Sequence, residues 1–367
     1  MSRIRVLIVD DSVVIRRLLS VILSSDPEIE VVGTASDGKI GLARICQVNP
    51  DIIILDIEMP VMNGLETLAA IRKTYRTLPV IMFSTLTEHG ASATLDALAL
   101  GASDYATKPT EGGNVSQSIC GDLIPKIKAL CHREPVALTI EPTRARISKF
   151  LNFGSSSIDI VAIGVSTGGP SALATLLTGL SKDFPVPVVI VQHMPQMFTR
   201  MLAERLAVLS GFPVREGSAG ELLRPGEMWV APGGFHMEVE KIFNAVRLRT
   251  HEGPPENSCR PAVDPLFDSV AKVYGSHALA VVLTGMGQDG LRGCEHICEA
   301  GGRVLAQDEA TSVVWGMPGA VTRAGLAGKV LPLHELAQEI NRLVKPTPRH
   351  AENPIGSLLL AGSRKEL

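Results

Sequence analysis

Short apolar runs alternate with helix-spaced apolar residues over the first part of the chain. The runs are rich in valine and isoleucine and lie at residues 4–9, 31–35, 52–55 and 80–83, with a shorter run at 103–107. Such runs are typical of buried parallel strands. Between them, residues such as Val14, Leu18 and Val21 recur at the spacing of one helix face. This alternation predicts a doubly wound sheet of five βα units, with its functional site at the carboxyl ends of the strands.

A linker and a second α/β domain follow. Between about residue 132 and residue 157, prolines, basic residues and a run of three serines interrupt the alternation, which indicates an exposed linker. Strand-like runs recur at 158–163, 187–191, 228–231, 279–283 and 304–307, and the alternating segments 236–240 and 244–249 predict an antiparallel hairpin attached to the main sheet. We therefore expect domains at residues 1–125 and 158–345, an interdomain linker at 126–157 and a flexible tail at 346–367.

The composition favours a folded protein with no nucleic-acid or membrane signature. A chain of 367 residues, 45% hydrophobic and 20% charged, is too long for one ordinary core and favours two domains. The net charge of −3 provides no basic surface for nucleic acid. No signal-peptide pattern opens the chain, and no apolar stretch reaches the roughly 18 residues that span a bilayer. We expect a cytoplasmic enzyme.

Six cysteines are scattered along the chain, and in a cytosolic protein such cysteines are usually reduced and buried. Cys294 and Cys298 are spaced to share one helix face, with His296 between them. The histidine would point elsewhere on such a helix, and no second ligand pair exists in the sequence. We therefore expect no metal site there.

Acidic residues follow two strands of the first predicted sheet. Asp10 and Asp11 come directly after the first strand, and Asp56 ends the third. The fold brings these carboxylates to one edge of the sheet, where hard oxygen ligands suit Mg²⁺. Asp56 can then act as a nucleophile and form an acyl phosphate. Single aspartates at strand ends are usually just polar loop residues, but this combination favours phosphoryl transfer.

Three further residues at strand ends complete this predicted phosphorylation site. Lys108, at the end of the fifth strand, supplies a positive charge for the phosphate. Ser84 ends the fourth strand with a hydroxyl that can bond a phosphoryl oxygen, and Tyr105 lies where a rotating aromatic ring can report that bond.

These residues resemble the pattern of a two-component receiver domain over residues 1 to about 125. The motifs that carry the resemblance are Val9-Asp10-Asp11-Ser12, Leu55-Asp56-Ile57-Glu58-Met59-Pro60 with Asn63-Gly64, Ser84, and Gly101-Ala102-Ser103-Asp104-Tyr105 through Lys108-Pro109. Ser84 is a serine where many receivers have threonine, a conservative departure.

A glycine-rich turn opens the second domain. Residues 158–163 lead into Gly164-Val-Ser-Thr-Gly-Gly-Pro170, and a helix is predicted from Ser171. Backbone N–H groups converge at such a turn. The segment lacks the full dinucleotide fingerprint and the P-loop lysine, so three interpretations remain: a phosphate-binding turn, a tight turn only, or a turn that presents Ser166 as a nucleophile, as the Gly-x-Ser-x-Gly spacing indicates.

Possible partners for Ser166 also lie at strand ends. His193 follows the next strand, and Asp289 comes late, in Leu283-Thr-Gly-Met-Gly-Gln-Asp289-Gly290. The order Ser, His, Asp differs from that of the α/β-hydrolase fold but can build the same geometry. An isolated histidine is usually structural, yet the position of His193 one βα unit after Ser166 favours a general base. His236 is the rival base, although its position at the start of the hairpin favours a structural or substrate-side role.

The second domain resembles the CheB-type methylesterase domain, and with a receiver before it the arrangement resembles the chemotaxis protein-glutamate methylesterase family over roughly residues 1–345. The motifs that carry this resemblance are Gly164-Val-Ser-Thr-Gly-Gly-Pro170, Gln192-His193-Met194, Ala231-Pro232-Gly233-Gly234 with His236-Met237, Arg260-Pro261-Ala262-Val263-Asp264, Thr284-Gly285-Met286-Gly287 with Asp289-Gly290, Ala306-Gln307-Asp308-Glu309, and Val314-Trp315-Gly316-Met317-Pro318. Leu291 departs from the pattern, because the family tends to have a small residue there.

The resemblance implies a phosphorylation-activated hydrolase that demethylates receptor glutamates and deamidates selected glutamines. It implies Ser166 as nucleophile, His193 as general base and Asp289 as the orienting acid, with the N–H groups of Thr167 and Met286 as oxyanion donors. Implied partners are methyl-accepting chemotaxis receptors, or receptor-like proteins of a parallel pathway, and a histidine kinase. We expect no nucleic acid, no cofactor in the hydrolase site, and contact with the membrane only through receptors.

Two alternatives stay open at this point. The chain could be a phosphorylation-gated binding protein that kept the fold but lost turnover, or a receiver-linked regulator of nucleic acid. The first is disfavoured because all three triad residues are present, and the second because the charge is slightly negative and no DNA-binding element is recognisable. A further expectation is that the unphosphorylated receiver covers the entrance to Ser166.

Overall fold

Two α/β parts, each built on a parallel sheet, form the chain. We analysed a computed structural model, which describes residues 3–85, 87–108, 115–131 and 157–344. Residues 132–156 of the predicted linker and the whole of the predicted tail at 346–367 lie outside the described residues. The last helix of the first part ends at Cys131, beyond the expected domain boundary at residue 125.

The first part has a five-stranded sheet in the order β2-β1-β3-β4-β5, with every neighbouring pair parallel. Its strands are β1 Ile4–Val9, β2 Ile29–Ala35, β3 Ile52–Asp56, β4 Val80–Ser84 and β5 Asp104–Thr107. Its helices are α1 Val13–Ser24, α2 Gly38–Val48, α3 Gly64–Thr74, α4 Glu88–Ala99 and α5 Val115–Cys131. The strand order reverses between β1 and β3, and the crevice of a doubly wound sheet lies at that reversal.

The helices of the first part begin where the sequence supplies caps. The Ser12 hydroxyl accepts a hydrogen bond from the N–H of Ile15 at the start of α1. Asn63 and Glu66 form a reciprocal capping box at the start of α3. Such caps satisfy backbone donors that the first helical turn leaves free, so each helix starts at the strand edge that carries the acidic residues.

The second part has a seven-stranded sheet in the order β14-β13-β12-β6-β7-β9-β8, again with parallel pairs. Its strands are β6 Ile160–Val165, β7 Val188–Gln192, β8 Val214–Glu216, β9 Met228–Val230, β12 Ala278–Val282, β13 Arg303–Gln307 and β14 Lys329–Leu331. Its helices are α6 Gly169–Thr178, α7 Gln196–Ser210, α8 Val263–Tyr274, α9 Leu291–Glu299, α10 Met317–Arg323 and α11 Leu333–Val344. The strand order reverses at the central β6, with β7 on one side and β12 on the other.

The predicted hairpin is present as β10 His236–Ile242 and β11 Ala245–His251. The two strands pair antiparallel from His236 opposite His251 to Ile242 opposite Ala245, and they form a separate two-stranded sheet. Buried Met237, Val239 and Leu248 join the core that α8 covers. The hairpin is therefore attached to the rest of the fold by packing and by backbone hydrogen bonds between β11 and residues 220–223.

Apolar residues on both faces of the second sheet are buried under helices. One cluster contains Ile160, Val189 and Phe267 on the α8 side. The other contains Ile163, Val281 and Leu176, and it continues without a break into the first part through residues of β4 and α4 such as Met82 and Leu98. The two parts thus share a continuous apolar core. No helix among the described residues combines the length and apolarity that a membrane crossing requires.

Candidate functional site

The acidic residues of the first part meet at the edge where its strand order reverses. Asp10 follows β1 and Asp56 ends β3, and both side chains are buried, whereas Asp11 is exposed. One carboxylate oxygen from each of the three residues lies within 4.8 Å of the others. Lys108 closes the cluster, with its Nζ atom 2.7 Å from Asp56 Oδ2 and 3.1 Å from Asp10 Oδ2.

The electrostatics of this cluster favour a bound cation. Burial, together with the nearby charge of Asp10, raises the pKa of Asp56 to about 6 despite the hydrogen bond from Lys108. Three carboxylates around one point are a hard oxygen donor set, which is the set that Mg²⁺ prefers. The residues present therefore fit a divalent cation, which would relieve the repulsion that raises the pKa of Asp56.

Ser84 and Tyr105 lie on neighbouring strands beside this cluster. The buried Ser84 hydroxyl donates to the carbonyl of Gly90 in the first turn of α4, 3.1 Å away. The Tyr105 ring is also buried, and it stacks on Phe198 of α7 with ring centroids 4.9 Å apart. Ser84 therefore contacts the helix that follows it, and Tyr105 contacts the second part of the molecule.

Ser166 lies in the tight turn between β6 and α6. Gly168 caps this helix with φ of +77°, a left-handed conformation that glycine adopts without steric cost. The helix begins at Gly169, which places Pro170 in its first turn. The N–H of Ser166 donates to the carbonyl of Thr284, in the loop after β12, at 3.0 Å. The turn is thus fixed against the neighbouring strand end.

The sheet register brings Ser166 and His193 together at adjacent strand ends. The last paired residues of β6 and β7 are Val165 and Gln192. Ser166 directly follows Val165, and His193 directly follows Gln192. The side-chain amide of Gln192 donates to the carbonyl of Ser166 at 3.0 Å and to that of His193 at 3.3 Å. Neighbouring strands lie about 4.8 Å apart, so the two residues start from adjacent backbone positions.

Asp289 reaches the same edge from the other side of β6. Its Oδ2 atom lies 2.7 Å from Nε2 of His193, and the side chain of Asp289 is buried. Although burial of the imidazole opposes its charge, the hydrogen bond with Asp289 raises the pKa of His193, as does the neighbouring Cys259 side chain. Nε2 is therefore the ring nitrogen that faces Asp289.

Asp289 is held in its ionised form. Burial alone would raise its pKa, but the hydrogen bond with His193 and those from the N–H groups of Val263 and Asp264 lower the pKa of Asp289 below its ordinary value. A carboxylate that accepts several backbone N–H bonds is stabilised in the charged state. The pair therefore consists of an anion fixed beside an imidazole that it makes more basic.

The N–H groups of Thr167 and Met286 flank Ser166. Within the described part of the chain, neither of these amides donates to another protein group. Met286 follows Gly285, where a Cβ atom would lie 2.8 Å from Cβ of Ser166, so only glycine allows the loop to approach this closely. Two free backbone donors beside a serine at a strand end can stabilise a negative charge that develops there.

The rival histidine has both ring nitrogens bonded. Nδ1 of His236 accepts from the N–H of Ala262 at 3.3 Å, and its Nε2 donates to the carbonyl of Pro254 at 3.0 Å. His236 is buried, and these bonds link the start of the hairpin to the loop before α8. The geometry is that of a structural histidine, because accepting a further proton would break the bond to Ala262.

The cysteine pair is buried in the second part. Cys294 and Cys298 both lie on the core side of α9, and burial raises the pKa of Cys298 to about 12. His296 points toward α8, where its Nδ1 atom lies 2.8 Å from Oδ1 of Asp268. The histidine and the two thiols therefore face different neighbours.

The first part packs beside the Ser166 turn through contacts that the sequence did not reveal. The hydroxyl of Thr167 donates to Oδ2 of the buried Asp104 at 2.8 Å. The Ser171 hydroxyl, in the first turn of α6, donates to the carbonyl of Leu98 at 3.1 Å. Further along, an ion pair joins Arg205 of α7 to Asp96 of α4 at 2.6 Å. These contacts place the start of β5 directly against the residue that follows Ser166.

Lys126 and Asn257 also escaped the sequence analysis. Lys126, on α5, donates to the carbonyl of Tyr105 at 2.8 Å and pairs with Asp122 at 2.7 Å. Asn257 lies in the loop before α8, and its side-chain amide donates to Asp289. The available signal for Asn257 was an asparagine in a Pro- and Gly-rich loop, a residue type that tolerates the left-handed conformation observed there.

The fold and these two strand-edge clusters define a class of protein: a receiver-like α/β domain packed on a second α/β domain that carries a Ser/His/Asp cluster. Comparison with known families agrees. The response regulator receiver domain family matches residues 6–119, and the CheB methylesterase family matches residues 161–340.

Relatives match over nearly the whole chain. A protein-glutamate methylesterase/protein-glutamine glutaminase from Trichodesmium erythraeum (strain IMS101) is 54% identical over 94% of this chain and 100% of its own length. A protein of the same name from Nocardioides sp. (strain ATCC BAA-499 / JS614) is 51% identical over 95% of this chain and 98% of its own length. The chain belongs to the protein-glutamate methylesterase/protein-glutamine glutaminase family.

A solved structure supports the fold of the second part. The crystal structure of the Thermotoga maritima CheB methylesterase catalytic domain is 42% identical, covers 52% of this chain and all of its own, and has a TM-score of 0.50.

Proposed function

We propose that this protein hydrolyses the methyl esters of glutamate side chains on methyl-accepting chemotaxis receptors, deamidates selected receptor glutamines, and is activated by phosphorylation of Asp56. The observation that carries the proposal is the 2.7 Å contact between His193 and Asp289 at the strand edge that also carries Ser166. The names of the relatives support this substrate chemistry.

The acylation step uses Ser166, His193 and Asp289. Oγ of Ser166 attacks the carbonyl carbon of the ester, and His193, as general base, takes the hydroxyl proton. Asp289 stabilises the imidazolium that forms. The N–H groups of Thr167 and Met286 donate to the oxyanion of the tetrahedral intermediate, and each such donor contributes about 3 kcal/mol. The intermediate collapses, the bond to the methoxy group breaks, and methanol leaves with the proton from His193.

The deacylation step regenerates the enzyme. His193 takes a proton from water, and the hydroxide formed attacks the acyl carbon of the ester with Ser166. Cleavage of the bond to Oγ then returns the proton to Ser166 and releases a glutamate carboxyl group. Deamidation follows the same course with ammonia as the leaving group. We expect the hydrolase site to need no cofactor.

The phosphorylation site is the acidic cluster of the first part. Asp10, Asp11 and Asp56 would hold Mg²⁺, which supplies charge neutralisation for the incoming phosphoryl oxygens. A carboxylate oxygen of Asp56 attacks the phosphorus atom of the phosphodonor, the bond between phosphorus and the donor breaks, and the donor leaves with the electron pair of that bond. Lys108 binds a phosphoryl oxygen. The phosphodonor of this protein would be a histidine kinase that carries the phosphoryl group.

Coupling between the two sites would run through Ser84 and Tyr105. A phosphoryl group on Asp56 gives the Ser84 hydroxyl an acceptor that competes with the carbonyl of Gly90, and the first turn of α4 would shift with it. The Tyr105 ring would then leave its position on Phe198. Asp104, which precedes Tyr105, accepts a hydrogen bond from the hydroxyl of Thr167. We therefore propose that the unphosphorylated receiver covers the entrance to Ser166. Phosphorylation would weaken this docking.

The boundaries that we propose for these units are residues 1–125 for the receiver, 126–157 for the linker, 158–345 for the hydrolase and 346–367 for the tail. The extension of α5 to Cys131 favours a receiver that ends slightly later than residue 125.

The test of this function is methanol release from methylated receptor membranes by the wild type and by Ser166→Ala. We expect the substitution to lower turnover by at least about a thousandfold, because it removes the nucleophile. Phosphorylation of Asp56 should be unaffected in the same protein, which serves as the control for folding. Near-normal turnover by Ser166→Ala would show that the nucleophile is wrong, and no methanol from the wild type would favour a binding protein without turnover.

A further inference from the structure

One side-chain amide bridges two buried carboxylates behind the Ser/His/Asp cluster. Nδ2 of Asn257 lies 3.0 Å from Oδ1 of Asp289 and 3.0 Å from Oδ2 of Asp264. Both aspartates are almost fully buried, whereas Asn257 itself lies at the surface. An amide group carries two N–H donors and can satisfy two acceptors at once.

The bridge separates two negative charges that would otherwise repel each other. Burial and the charge of Asp289 both raise the pKa of Asp264, while hydrogen bonds from the N–H of Gly293 and from Asn257 lower it. Without a donor between them, two carboxylates this close tend to share a proton. The amide therefore favours the fully ionised state of the pair.

The bridge also fixes which oxygen of Asp289 faces the imidazole. Oδ1 accepts from Asn257, from the N–H of Asp264 at 3.1 Å and from the N–H of Gly290 at 3.0 Å. Oδ2 accepts from the N–H of Val263 at 2.6 Å and lies against His193. Because Oδ1 of Asp289 is surrounded by donors, rotation of the carboxylate away from His193 would break several hydrogen bonds.

The loop that carries Asn257 is held in an uncommon conformation. Asn257 and Ser258 have φ of +50° and +63°, in the left-handed region. Two backbone bonds close the turn around them, from Glu256 N to Cys259 O at 3.1 Å and from Cys259 N to Glu256 O at 2.8 Å. An ion pair between Glu256 and Arg292 ties the turn to α9. Conformations of this kind persist when surrounding structure determines them.

We propose that Asn257 is a positioning residue for ester hydrolysis, and that its amide keeps Asp289 ionised and aimed at His193 beside a second buried carboxylate. The inference rests on the proposed function of the Ser166 site. Asn257 acts through Asp289, so its loss should change the chemical step and leave substrate binding intact.

Three variants of the full-length protein test this role. Asn257→Gly removes the amide and adopts a left-handed φ freely. Asn257→Asp keeps nearly the same shape, and a left-handed φ remains tolerable, but it replaces the donor by a third carboxylate. Ser258→Gly is the matched control, because it removes an exposed side chain from the same turn at the neighbouring left-handed position.

The measurement is kcat and KM for methanol release at neutral pH, with thermal unfolding of each protein. We expect Asn257→Gly to lower kcat about 10- to 100-fold at unchanged KM, which is the size of one hydrogen bond to a charged group. Asn257→Asp should be lower still, and Ser258→Gly should match the wild type. A role in shape alone predicts the opposite ranking, with Asn257→Asp close to the wild type and Asn257→Gly the weakest.

The pH profile of kcat/KM supplies a second readout. The groups facing His193 are Asp289 and Cys259. Asp289 faces Asp264, whose pKa the charge of Arg292 lowers. Without the amide, Asp289 shares a proton with Asp264 and carries less charge beside the imidazole. The pKa of His193 should then fall, and the acid limb of the profile should move to lower pH in Asn257→Gly. An unmoved limb would overturn the inference.

An error in the nucleophile and an error in the role of Asn257 give different results. If the nucleophile assignment is wrong, Ser166→Ala keeps its turnover whatever Asn257 does. If only the bridge is wrong, Ser166→Ala is inactive while Asn257→Gly and Asn257→Asp have wild-type kcat and pH profiles. If a variant unfolds at the assay temperature, the comparison of the remaining Asn257 variant with Ser258→Gly decides the question.

Discussion

Asp289 is the most heavily bonded side chain of the Ser/His/Asp cluster. It accepts hydrogen bonds from Asn257, from the N–H groups of Val263, Asp264 and Gly290, and from His193. A carboxylate so arranged has little freedom to rotate, and the reorganisation that accompanies charge formation on His193 is correspondingly small. We therefore expect the acid to matter to this enzyme both as a charge and as an orienting group.

Asp289→Asn separates these contributions. It keeps the shape of the side chain but removes the charge that raises the pKa of His193, so that pKa should fall. We expect turnover to drop by on the order of ten thousandfold, with the acid limb of the residual activity moved to lower pH. The measurement is methanol release as a function of pH. A variant with turnover within tenfold of the wild type, or with an unmoved acid limb, would contradict the role given to Asp289.

Most of the residues that the sequence identified lie at or just after a strand end. Asp10, Asp56, Ser166 and His193 can be placed from the strand pattern alone, because parallel strands share an edge. Asn257 and Asp104 could not be found in this way. Their roles depend on contacts between segments far apart in the chain, and neither periodicity nor spacing encodes such contacts.

At the scale of the elements, α4 of the first part packs against α6 and α7 of the second. Phe198 and Leu202 of α7 are fully buried, and Tyr105 covers Phe198. At the rim, Arg205 pairs with Asp96 at 2.6 Å and Arg200 with Glu88 at 3.2 Å. Such a mixed surface is typical of interdomain contacts that can open, which is what activation by undocking requires.

A charge exchange across α4 and α7 tests the docking without touching either site. Arg205→Asp places two negative charges together, so we expect the rate of the unphosphorylated enzyme to rise about two- to fivefold. Adding Asp96→Arg should return it to the wild-type rate, because the pair is restored with opposite orientation. The measurement is basal methanol release.

The control is Arg224→Asp, which alters an ion pair to Glu227 within the second part and should leave the basal rate unchanged. A lower rate for Arg205→Asp, or a double variant that stays as active as Arg205→Asp, would contradict docking through this face.

The element pattern of the sequence was most informative where strands are long and buried. β1 covers the predicted residues 4–9, and β3, β4 and β13 coincide with their apolar runs to within one residue. The edge strands β8 and β14 were missed because each has only three residues and includes charged ones. The equally short β9 was predicted because its residues are all apolar. The hairpin was predicted, but the sequence pattern did not reveal that β10 and β11 form a sheet of their own. That arrangement depends on contacts with α8, which is distant in the chain.

At the scale of the whole molecule, a short path of contacts connects the acidic cluster of the first sheet with the Ser166 turn. Asp56 lies two strands from β5 in the first sheet, and the first residue of β5, Asp104, bonds Thr167. Asp104 is fully buried, and burial raises its pKa, although Lys126 and the hydroxyl of Thr167 oppose this. Lys126 and Thr167 therefore hold the Asp104 carboxylate from both sides. Separation of the two parts would expose this carboxylate to water.

The most direct test of the account is the rate of methanol release by the full chain with Mg²⁺, with and without a small acyl phosphate donor. The donor should raise the rate of the wild type and leave that of Asp56→Asn at the basal value. A fragment that lacks residues 1–145 should exceed the unphosphorylated full chain without any donor. Equal stimulation of Asp56→Asn would contradict phosphorylation at Asp56, and a fragment slower than the unphosphorylated full chain would contradict inhibition by docking of the receiver.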